Sequence, residues 1–97
     1  MDIASNKHEP LALIENTYAT RILVALLEAG PTPRTTLYRL FTSNVRTPMD
    51  RVKELVDAGL LREVPRNPES RVMLIDLTDK GRRIARPLAE IERELAK

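Results

Sequence analysis

The stretch NVRTPMDRVKELVDAGL, residues 44–60, decides the fold of this chain. Its apolar residues recur at spacings of four, three, three and one, so they form one stripe along a helix. Asn44 can cap this helix by accepting a hydrogen bond from a free backbone amide, and Gly59 can end it in a left-handed conformation. We therefore predict an amphipathic helix over about residues 44–58, with Pro48 near its first turn. The members of the apolar stripe are Val45, Met49, Val52, Leu55 and Val56.

After this helix the sequence changes to the period of a β-strand. Residues 60–64 form one strand-like run, and in residues 71–77 alternate apolar side chains share a face. The intervening PRNPES consists of turn formers. Two strands joined by such a loop predict a β-hairpin with a long tip over about residues 65–71.

A long helix is predicted near the start of the chain. LALIENTYATRILVALLEA, residues 11–29, is apolar over so much of its surface that it should lie in the core or in a subunit interface. Pro10 can begin this helix, and Gly30-Pro31 closes it. Asn16-Thr17 is a site at which we expect a weak break.

A shorter helix over residues 34–41 follows the turn GPTP. Thr32 can serve as its cap, with Pro33 as its first residue. A three-residue turn then leads to the helix that begins near Asn44. This pair of helices has the proportions of a helix-turn-helix.

The last helix covers residues 79–97, with Thr78 as its cap. Pro87 should kink or break it between Arg83 and Arg86. A narrow apolar seam either packs on its own domain or pairs with the same helix of a second copy, and we favour a homodimer. The seam consists of Ile84, Leu88, Ile91 and Leu95.

Composition narrows the classes of function. With 97 residues the chain can form one domain with a modest core. Cysteine is absent, which excludes disulfides and thiolate metal sites. His8 is the only histidine, so metal binding or catalysis that depends on His or Cys is not expected. No apolar run approaches the roughly 18 residues of a membrane span, and the N-terminus lacks the pattern of a signal peptide. We expect a cytoplasmic protein with no cofactor, no membrane contact and a flexible tail over residues 1–9.

The net charge of +2 is weak support for a nucleic-acid partner. The identity of the basic residues is stronger support. Of the sixteen basic residues twelve are Arg, whose guanidinium suits bidentate contacts to phosphate and guanine. Between residues 31 and 71 eight basic residues face five acids, a local excess of three. Arg enrichment is also common in thermophilic or high-GC genomes, which is the alternative explanation.

Three passages resemble parts of the winged-helix transcriptional regulators of the MarR, PadR and related prokaryotic groups. RVKELVDAGLL, residues 51–61, resembles the end of the recognition helix and the entry to the wing, and RNPESRVMLIDLT, residues 66–78, resembles the wing. LTDKGRRIARPL, residues 77–88, resembles the LT-x-x-G that opens the C-terminal helix in these families. The resemblance covers residues 17–97. It implies an α+β, mostly α fold: a winged helix-turn-helix with a three-helix core, a two-stranded β-wing and a C-terminal dimerisation helix.

The resemblance also implies a division of the chain and of its contacts with DNA. Residues 10–78 would form the DNA-binding domain and residues 79–97 the dimerisation element. The helix over 44–58 would enter the major groove, and the wing would touch the flanking backbone or minor groove. The candidates for base contacts are Arg46, Thr47, Asp50 and Arg51. The candidates for backbone contacts are Arg34, Thr35, Thr36, Arg66, Asn67 and Arg71.

Simpler roles compete with these assignments. Surface arginines are often only solvated, and Arg51 with Glu54 or Asp50 with Lys53 can pair locally on the helix. Asp50 is unfavourable near phosphate, so it either orients an arginine or accepts a hydrogen bond from cytosine.

The leading function is a dimeric transcription regulator that binds double-stranded DNA. The rival is a winged-helix protein–protein interaction module within a larger complex. We do not expect an enzyme, because the sequence has no phosphate-binding glycine loop, metal-ligand cluster or catalytic triad. A small-molecule effector is left open, since no residue marks a pocket for one.

Overall fold

A computed structural model of the chain describes residues 8–97, so residues 1–7 of the predicted tail lie outside the described part. After a short 3-10 turn, Glu9–Leu11, the described chain forms five helices and three strands. In chain order they are α1 (Ala12–Glu15), α2 (Ala19–Ala29), β1 (Thr32–Pro33), α3 (Arg34–Arg39), α4 (Arg46–Asp57), β2 (Leu61–Pro65), β3 (Met73–Leu77) and α5 (Asp79–Leu95).

The sheet has three antiparallel strands in the order β1, β3, β2, where the sequence predicts only the two strands of the wing. β2 and β3 form the wing, and β1 pairs with the other edge of β3, Thr32 lying opposite Ile75. The prediction that Thr32 caps α3 is therefore wrong. Its hydroxyl donates to the Gly30 carbonyl at 2.8 Å, and Pro33 is the N-cap residue rather than the first residue of the helix. A proline is tolerated there because β1 is an edge strand.

The core is centred on α2, in agreement with the wide apolar surface that its sequence predicts. Ile22, Leu23 and Leu26 of α2 are fully buried. α4 contributes Val52 and Leu55, so one side of this helix is held in the core and the other is left at the surface. The remaining buried members of the cluster are Leu37, Tyr38, Leu60, Leu61, Ile75, Leu77 and Ala85.

The predicted break in the first long helix is confirmed. α1 ends at Glu15 and α2 begins at Ala19, while Tyr18 between them adopts a left-handed conformation with φ of 71°. The Tyr18 ring stacks on Phe41 with 5.3 Å between centroids, and the Arg21 guanidinium lies over the Tyr18 ring at 4.9 Å. Aromatic stacking and the cation–π contact stabilise this corner.

The end of α4 and the start of α5 are joined by a compact turn. Gly59 has φ of 82°, the left-handed conformation that the sequence predicts. The Leu60 amide donates to the Leu55 carbonyl at 2.9 Å, which completes a Schellman arrangement. The Thr78 hydroxyl donates to the Gly59 carbonyl at 2.6 Å and accepts from the Gly81 amide at 3.0 Å. Thr78 is thus the cap of α5, as predicted. A Cβ on Gly81 would lie 2.0 Å from the Leu60 carbonyl oxygen, so the glycine of the LT-x-x-G passage is required by close approach.

α5 runs from Asp79 to Leu95 through Pro87, so the predicted break in this helix is wrong. Pro87 lies on the exposed side of the helix. Water can therefore reach the Arg83 carbonyl, whose usual amide partner the proline removes. The residues of α5 buried in the domain are small ones, Gly81, Ala85 and Ala89, which let α5 lie closely along α2.

The apolar seam of α5 is divided between the domain and the surface. Ile84 and Leu88 are half-buried against the core. Ile91 is 54% exposed and Leu95 is 81% exposed. The domain therefore covers the first half of the seam and leaves the second half uncovered.

Candidate nucleic-acid interface

The exposed side of α4 is the first feature of the candidate interface. Its core-facing residues are Pro48, Val52 and Leu55. Six side chains of α4 are exposed, and two of them, Glu54 and Asp57, lie toward its end. The other four recur at helical spacing, and we call them the exposed face of α4: Arg46, Met49, Asp50 and Lys53. The sequence placed Met49 in the apolar stripe, and that prediction is wrong because Met49 is 46% exposed. Pro48 occupies the buried position instead.

The start of α4 is held in place by short polar contacts. The Asn44 side-chain oxygen accepts a hydrogen bond from the Arg46 amide at 3.2 Å, and the Thr42 hydroxyl accepts one from the Asn44 amide at 3.2 Å. Asn44 therefore accepts a bond from the first helical amide, but it is not the cap that the sequence predicts: the N-cap residue is Val45, and no side chain makes a capping bond there. Pro48 is the third helical residue, where its missing amide costs little. The exposed Arg46 side chain thus projects from a fixed helix start.

Arg51 lies on a different side of α4 from the exposed face. Its side chain is only 14% exposed and forms an ion pair with Glu54 at 2.7 Å. Its Nε donates to the Thr17 carbonyl at 2.8 Å, and the Asn16 amide group donates to the same Glu54 carboxylate at 3.2 Å. Arg51 therefore ties α4 to the break between α1 and α2. This is the local pairing that the sequence raised as the simpler role for Arg51.

The other predicted residues of the helix-turn-helix differ in their surroundings. Thr47 is half-buried, whereas Arg34, Thr35 and Thr36 at the start of α3 are exposed. The Arg34 guanidinium lies 3.8 Å from the Glu63 carboxylate on β2, with both side chains well exposed. Such a solvent-exposed pair is weak, so Arg34 can exchange this partner for a phosphate at little cost.

The wing has a tip built from local hydrogen bonds. The Asn67 side-chain oxygen accepts from the Glu69 amide at 3.1 Å, and the Ser70 hydroxyl accepts from the Val72 amide at 2.9 Å. The Asn67 side chain therefore shapes the tip. Arg66 and Arg71, which flank the tip, are both exposed.

An ion pair lies at the base of the wing, and it was not predicted from the sequence. Arg62 and Asp76 face each other across β2 and β3, with 3.1 Å between the guanidinium and the carboxylate. Asp76 is 7% exposed, and its second oxygen accepts from the Leu77 amide at 2.9 Å. The pair neutralises Arg62, so the free positive charge of the wing is concentrated at its tip.

A surface groove of about 560 Å³ lies between α3, α4 and β2. Its rim brings Arg34 and Thr35 together with Lys53 and Met49 from the exposed face of α4. Tyr38 lines the floor, and burial raises the pKa of its phenol. The Glu63 carboxylate also raises this pKa, while the Arg34 guanidinium opposes the shift. The groove connects the start of α3 with the exposed face of α4 as one surface.

Sequence reasoning missed two residues of this surface, Met49 and Lys53. A stripe that begins at Pro48 and continues through Val52 and Leu55 would have placed Met49 outside the core, where the predicted stripe already left Lys53. Within residues 8–97, no group of three or more His, Cys, Asp or Glu side chains could hold a metal ion.

No single helix in residues 8–97 is long and apolar enough to cross a membrane. The segments Glu9–Glu15 and Ala19–Ala29 meet the criteria of length and composition only as a pair bent by 70°. Most of the apolar side chains of the second segment are buried in the domain core.

Solved structures of other proteins share this architecture. The chain matches RV1404 from Mycobacterium tuberculosis over 92% of its own length and 63% of that protein, with 33% identity and a TM-score of 0.71. It matches a MarR protein from Peptoclostridium difficile over 93% of its own length and 57% of that protein, with 18% identity and a TM-score of 0.74. Streptococcus pneumoniae FabT, solved in complex with DNA, matches over 91% of this chain and 66% of FabT, with 17% identity and a TM-score of 0.70.

The chain has the winged-helix fold of MarR-type regulators. In the terms of that fold, α3 and α4 are the helix-turn-helix, and β2 and β3 are the wing. The chain spans less than two thirds of the length of each of these three proteins. No protein-family model and no curated protein matches it. A further similar structure is that of a probable transcriptional regulator from Pseudomonas aeruginosa, with 25% identity and a TM-score of 0.68 over 91% of this chain and 71% of that protein. This similarity agrees with the prediction that the chain is not an enzyme.

Proposed function

We propose that this chain is a sequence-specific, double-stranded DNA-binding transcriptional regulator that works in the prokaryotic cytoplasm. The observation that carries the proposal is the exposed face of α4, which stands on a helix whose opposite side is fixed in the core. Arg34 and Thr35 extend this surface across the groove from α3. FabT, which has the same fold, was solved in complex with DNA.

Base contacts belong to the start of α4. Arg46 is exposed at the first helical residue, where a guanidinium can reach guanine O6 and N7, a contact worth about 1–3 kcal/mol of discrimination. Asp50, one turn further along, can accept a hydrogen bond from a cytosine amino group. Thr47 is a candidate for a phosphate or thymine contact. Arg51 contributes indirectly: its contacts with Thr17 and Glu54 hold α4 in position.

Contacts to the DNA backbone come from residues beside these. Lys53 and the threonines at the start of α3, Thr35 and Thr36, suit phosphates because they are exposed. The wing supplies Arg66 and Arg71 at its tip. Asn67 contributes by shaping the tip, and its amide nitrogen can donate to a phosphate.

The DNA-binding unit of residues 10–78 works as part of a homodimer that residues 79–97, which contain α5, assemble. The uncovered half of the α5 seam, Ile91 and Leu95, borders an apolar groove of about 250 Å³ that Val24 of α2 and Leu88 also line. Burying these exposed side chains against a second copy would stabilise the pair by about 25 cal/mol for each Å² covered. A twofold dimer would present two recognition helices to a roughly palindromic site.

Electrophoretic mobility shift with fragments selected from genomic DNA tests the DNA-binding proposal. If Lys53, Arg66 and Arg71 of each subunit contact phosphates, a dimer releases counterions from about six sites. Affinity should then fall on the order of a thousandfold between 50 and 200 mM salt. Substituting Arg66 and Arg71 by Gln should flatten this salt dependence while leaving sequence preference intact. Absence of any retardation at low salt would refute the regulator.

Light scattering on variants of the seam tests the dimer. Ile91→Asp and Leu95→Asp should give folded monomers with weakened affinity for a palindromic fragment. Leu88→Asp is a poorer probe, because Leu88 is half-buried and also supports the domain. Leu40→Asp is the matched control, since Leu40 is 59% exposed but lies outside the seam. A dimer that persists in both seam variants would place the interface elsewhere.

A protein–protein interaction module is the second candidate, and the charge of α4 favours it. The basic Arg46, Arg51 and Lys53 are balanced by Asp50, Glu54 and Asp57, so the helix carries no net charge. This balance weakens nonspecific attraction to DNA. The mobility-shift experiment separates the two candidates, because a protein-binding module predicts no DNA retardation at any salt concentration.

A further inference from the structure

Met49 is an exposed apolar side chain in the middle of a polar surface. It is 46% exposed, although its chain neighbour Pro48 is buried and Val52, one turn on, is only 1% exposed. On the exposed face of α4 it lies between Arg46 and Lys53, at spacings of three and four residues. The domain therefore leaves much of this side chain in water at the place from which the helix would contact bases.

The major groove of B-DNA offers one apolar group to a side chain, the 5-methyl of thymine. The other groups on base edges in that groove are hydrogen-bond donors and acceptors, which a thioether side chain satisfies poorly. Methionine is flexible and polarizable, so it can adjust to a methyl group in an otherwise polar groove. The chemistry of Met49 thus selects for thymine among the bases.

We propose that Met49 is a specificity-determining residue that reads a thymine through its 5-methyl group. The inference deepens the proposed function and rests on it. Three helical residues correspond to a rise of about 4.5 Å, compared with about 3.4 Å between successive base pairs. The thymine therefore lies within one or two base pairs of the base that Arg46 contacts.

Replacement of thymine by deoxyuridine tests the proposal, because uracil keeps every hydrogen-bonding group of thymine and lacks only the methyl. A duplex selected from random-sequence DNA serves as the probe, and each thymine is replaced in turn. For the wild-type protein, one position in each half-site should lose about fourfold in affinity, the value for one buried methyl-sized group. Met49→Ala should bind the selected duplex more weakly, and deoxyuridine at that position should not lower its affinity further. Met49→Leu should still lose affinity on the same substitution.

Arg46→Ala is the matched control on the same face of the helix. It should lower affinity for the selected duplex and still lose about fourfold on deoxyuridine substitution at the Met49 position. The inference is overturned if no thymine responds in the wild type, or if Met49→Ala keeps the full response. If selection yields no preferred sequence at all, the proposed function fails with it, so the two failures are distinguishable.

Discussion

Gly81→Ala is a perturbation whose consequence follows directly from the geometry. The added Cβ would lie 2.0 Å from the Leu60 carbonyl oxygen and 2.9 Å from its carbonyl carbon. The backbone must separate by about 1 Å to relieve this contact, since real Cβ atoms essentially never approach closer than 3.0 Å. That movement lengthens two hydrogen bonds of Thr78. Its amide donates to the Leu60 carbonyl at 3.0 Å, and its hydroxyl donates to the Gly59 carbonyl at 2.6 Å.

The expected loss of stability has three contributions. Overpacking against backbone costs about 1–3 kcal/mol, and two weakened hydrogen bonds cost about 1 kcal/mol each. Alanine gains about 1 kcal/mol over glycine through its helix propensity. The net destabilisation is therefore about 2–4 kcal/mol, a large part of the total for a domain of this size. It corresponds to a fall in melting temperature on the order of 10–20 °C.

Urea unfolding followed by far-ultraviolet circular dichroism measures this effect, with the midpoint and slope compared between proteins. Gly59→Ala is the matched control, because Gly59 has a left-handed φ of 82° but open space around its missing side chain. It should lose roughly 1–2 kcal/mol from backbone strain alone. Gly81→Ser carries the same Cβ and should lose at least as much as Gly81→Ala. Helix propensity alone predicts that Gly81→Ala is about 1 kcal/mol more stable than the wild type. A Gly81→Ala protein as stable as the wild type, or more stable, would refute the close-approach argument.

Three further outcomes are expected. Arg51→Ala should lower the unfolding free energy by about 1–2 kcal/mol through loss of its contacts to Thr17 and Glu54, whereas Arg46→Ala should weaken DNA binding without changing the urea midpoint. The pKa of Tyr38 is raised in the folded protein, so above about pH 10 the phenol of the unfolded chain loses its proton first. The free energy of unfolding should therefore fall as the pH rises above about 10. A Tyr38→Phe protein whose unfolding free energy falls equally with pH would contradict this. Asp76→Asn should destabilise the wing by about 1 kcal/mol, visible as faster amide exchange in β2 and β3 and absent in an exposed control, Asp79→Asn.

Several elements could be predicted from the sequence because their signals are local. The left-handed Gly59 and the Thr78 cap each depend on residues within a few positions along the chain, and both are confirmed. Asn44 accepts a bond from the first amide of α4, but it lies one residue before the N-cap, Val45. The break before α2 is confirmed as well. Each of these features satisfies backbone groups at helix ends, which must be paired wherever the helix lies in the fold.

Other features required the assembled domain. β1 is only two residues long, and nothing in Thr32-Pro33 indicates pairing with a strand some forty positions later in the chain. The break predicted at Pro87 does not occur, because the effect of a proline depends on whether its side of the helix meets water or the core.

The rotation of α4 about its axis is the clearest case. Sequence periodicity allows either Met49 or Pro48 to face inward, since adjacent residues differ by only about 100° around a helix. Packing against α2 and β2 selected Pro48, which turned Met49 outward. The same rotation brought Arg51 against the Thr17 carbonyl. Which arginine of α4 is free to meet a partner is therefore set by contacts with distant parts of the chain.

Apolar periodicity and turn residues lie in short segments, so the amino-acid order predicted a helix-turn-helix followed by a β-hairpin. The resemblance to MarR- and PadR-type regulators implied the complete winged fold. Neither could specify which side chains of α4 meet solvent or how β1 completes the sheet. Those outcomes depend on burying apolar surface while pairing buried polar groups. Which surface can be buried is decided only when all the elements pack together. Asn44 and Gly59 mark where α4 lies in the chain. The core around Ile22, Val52 and Leu55 defines the face that this helix presents.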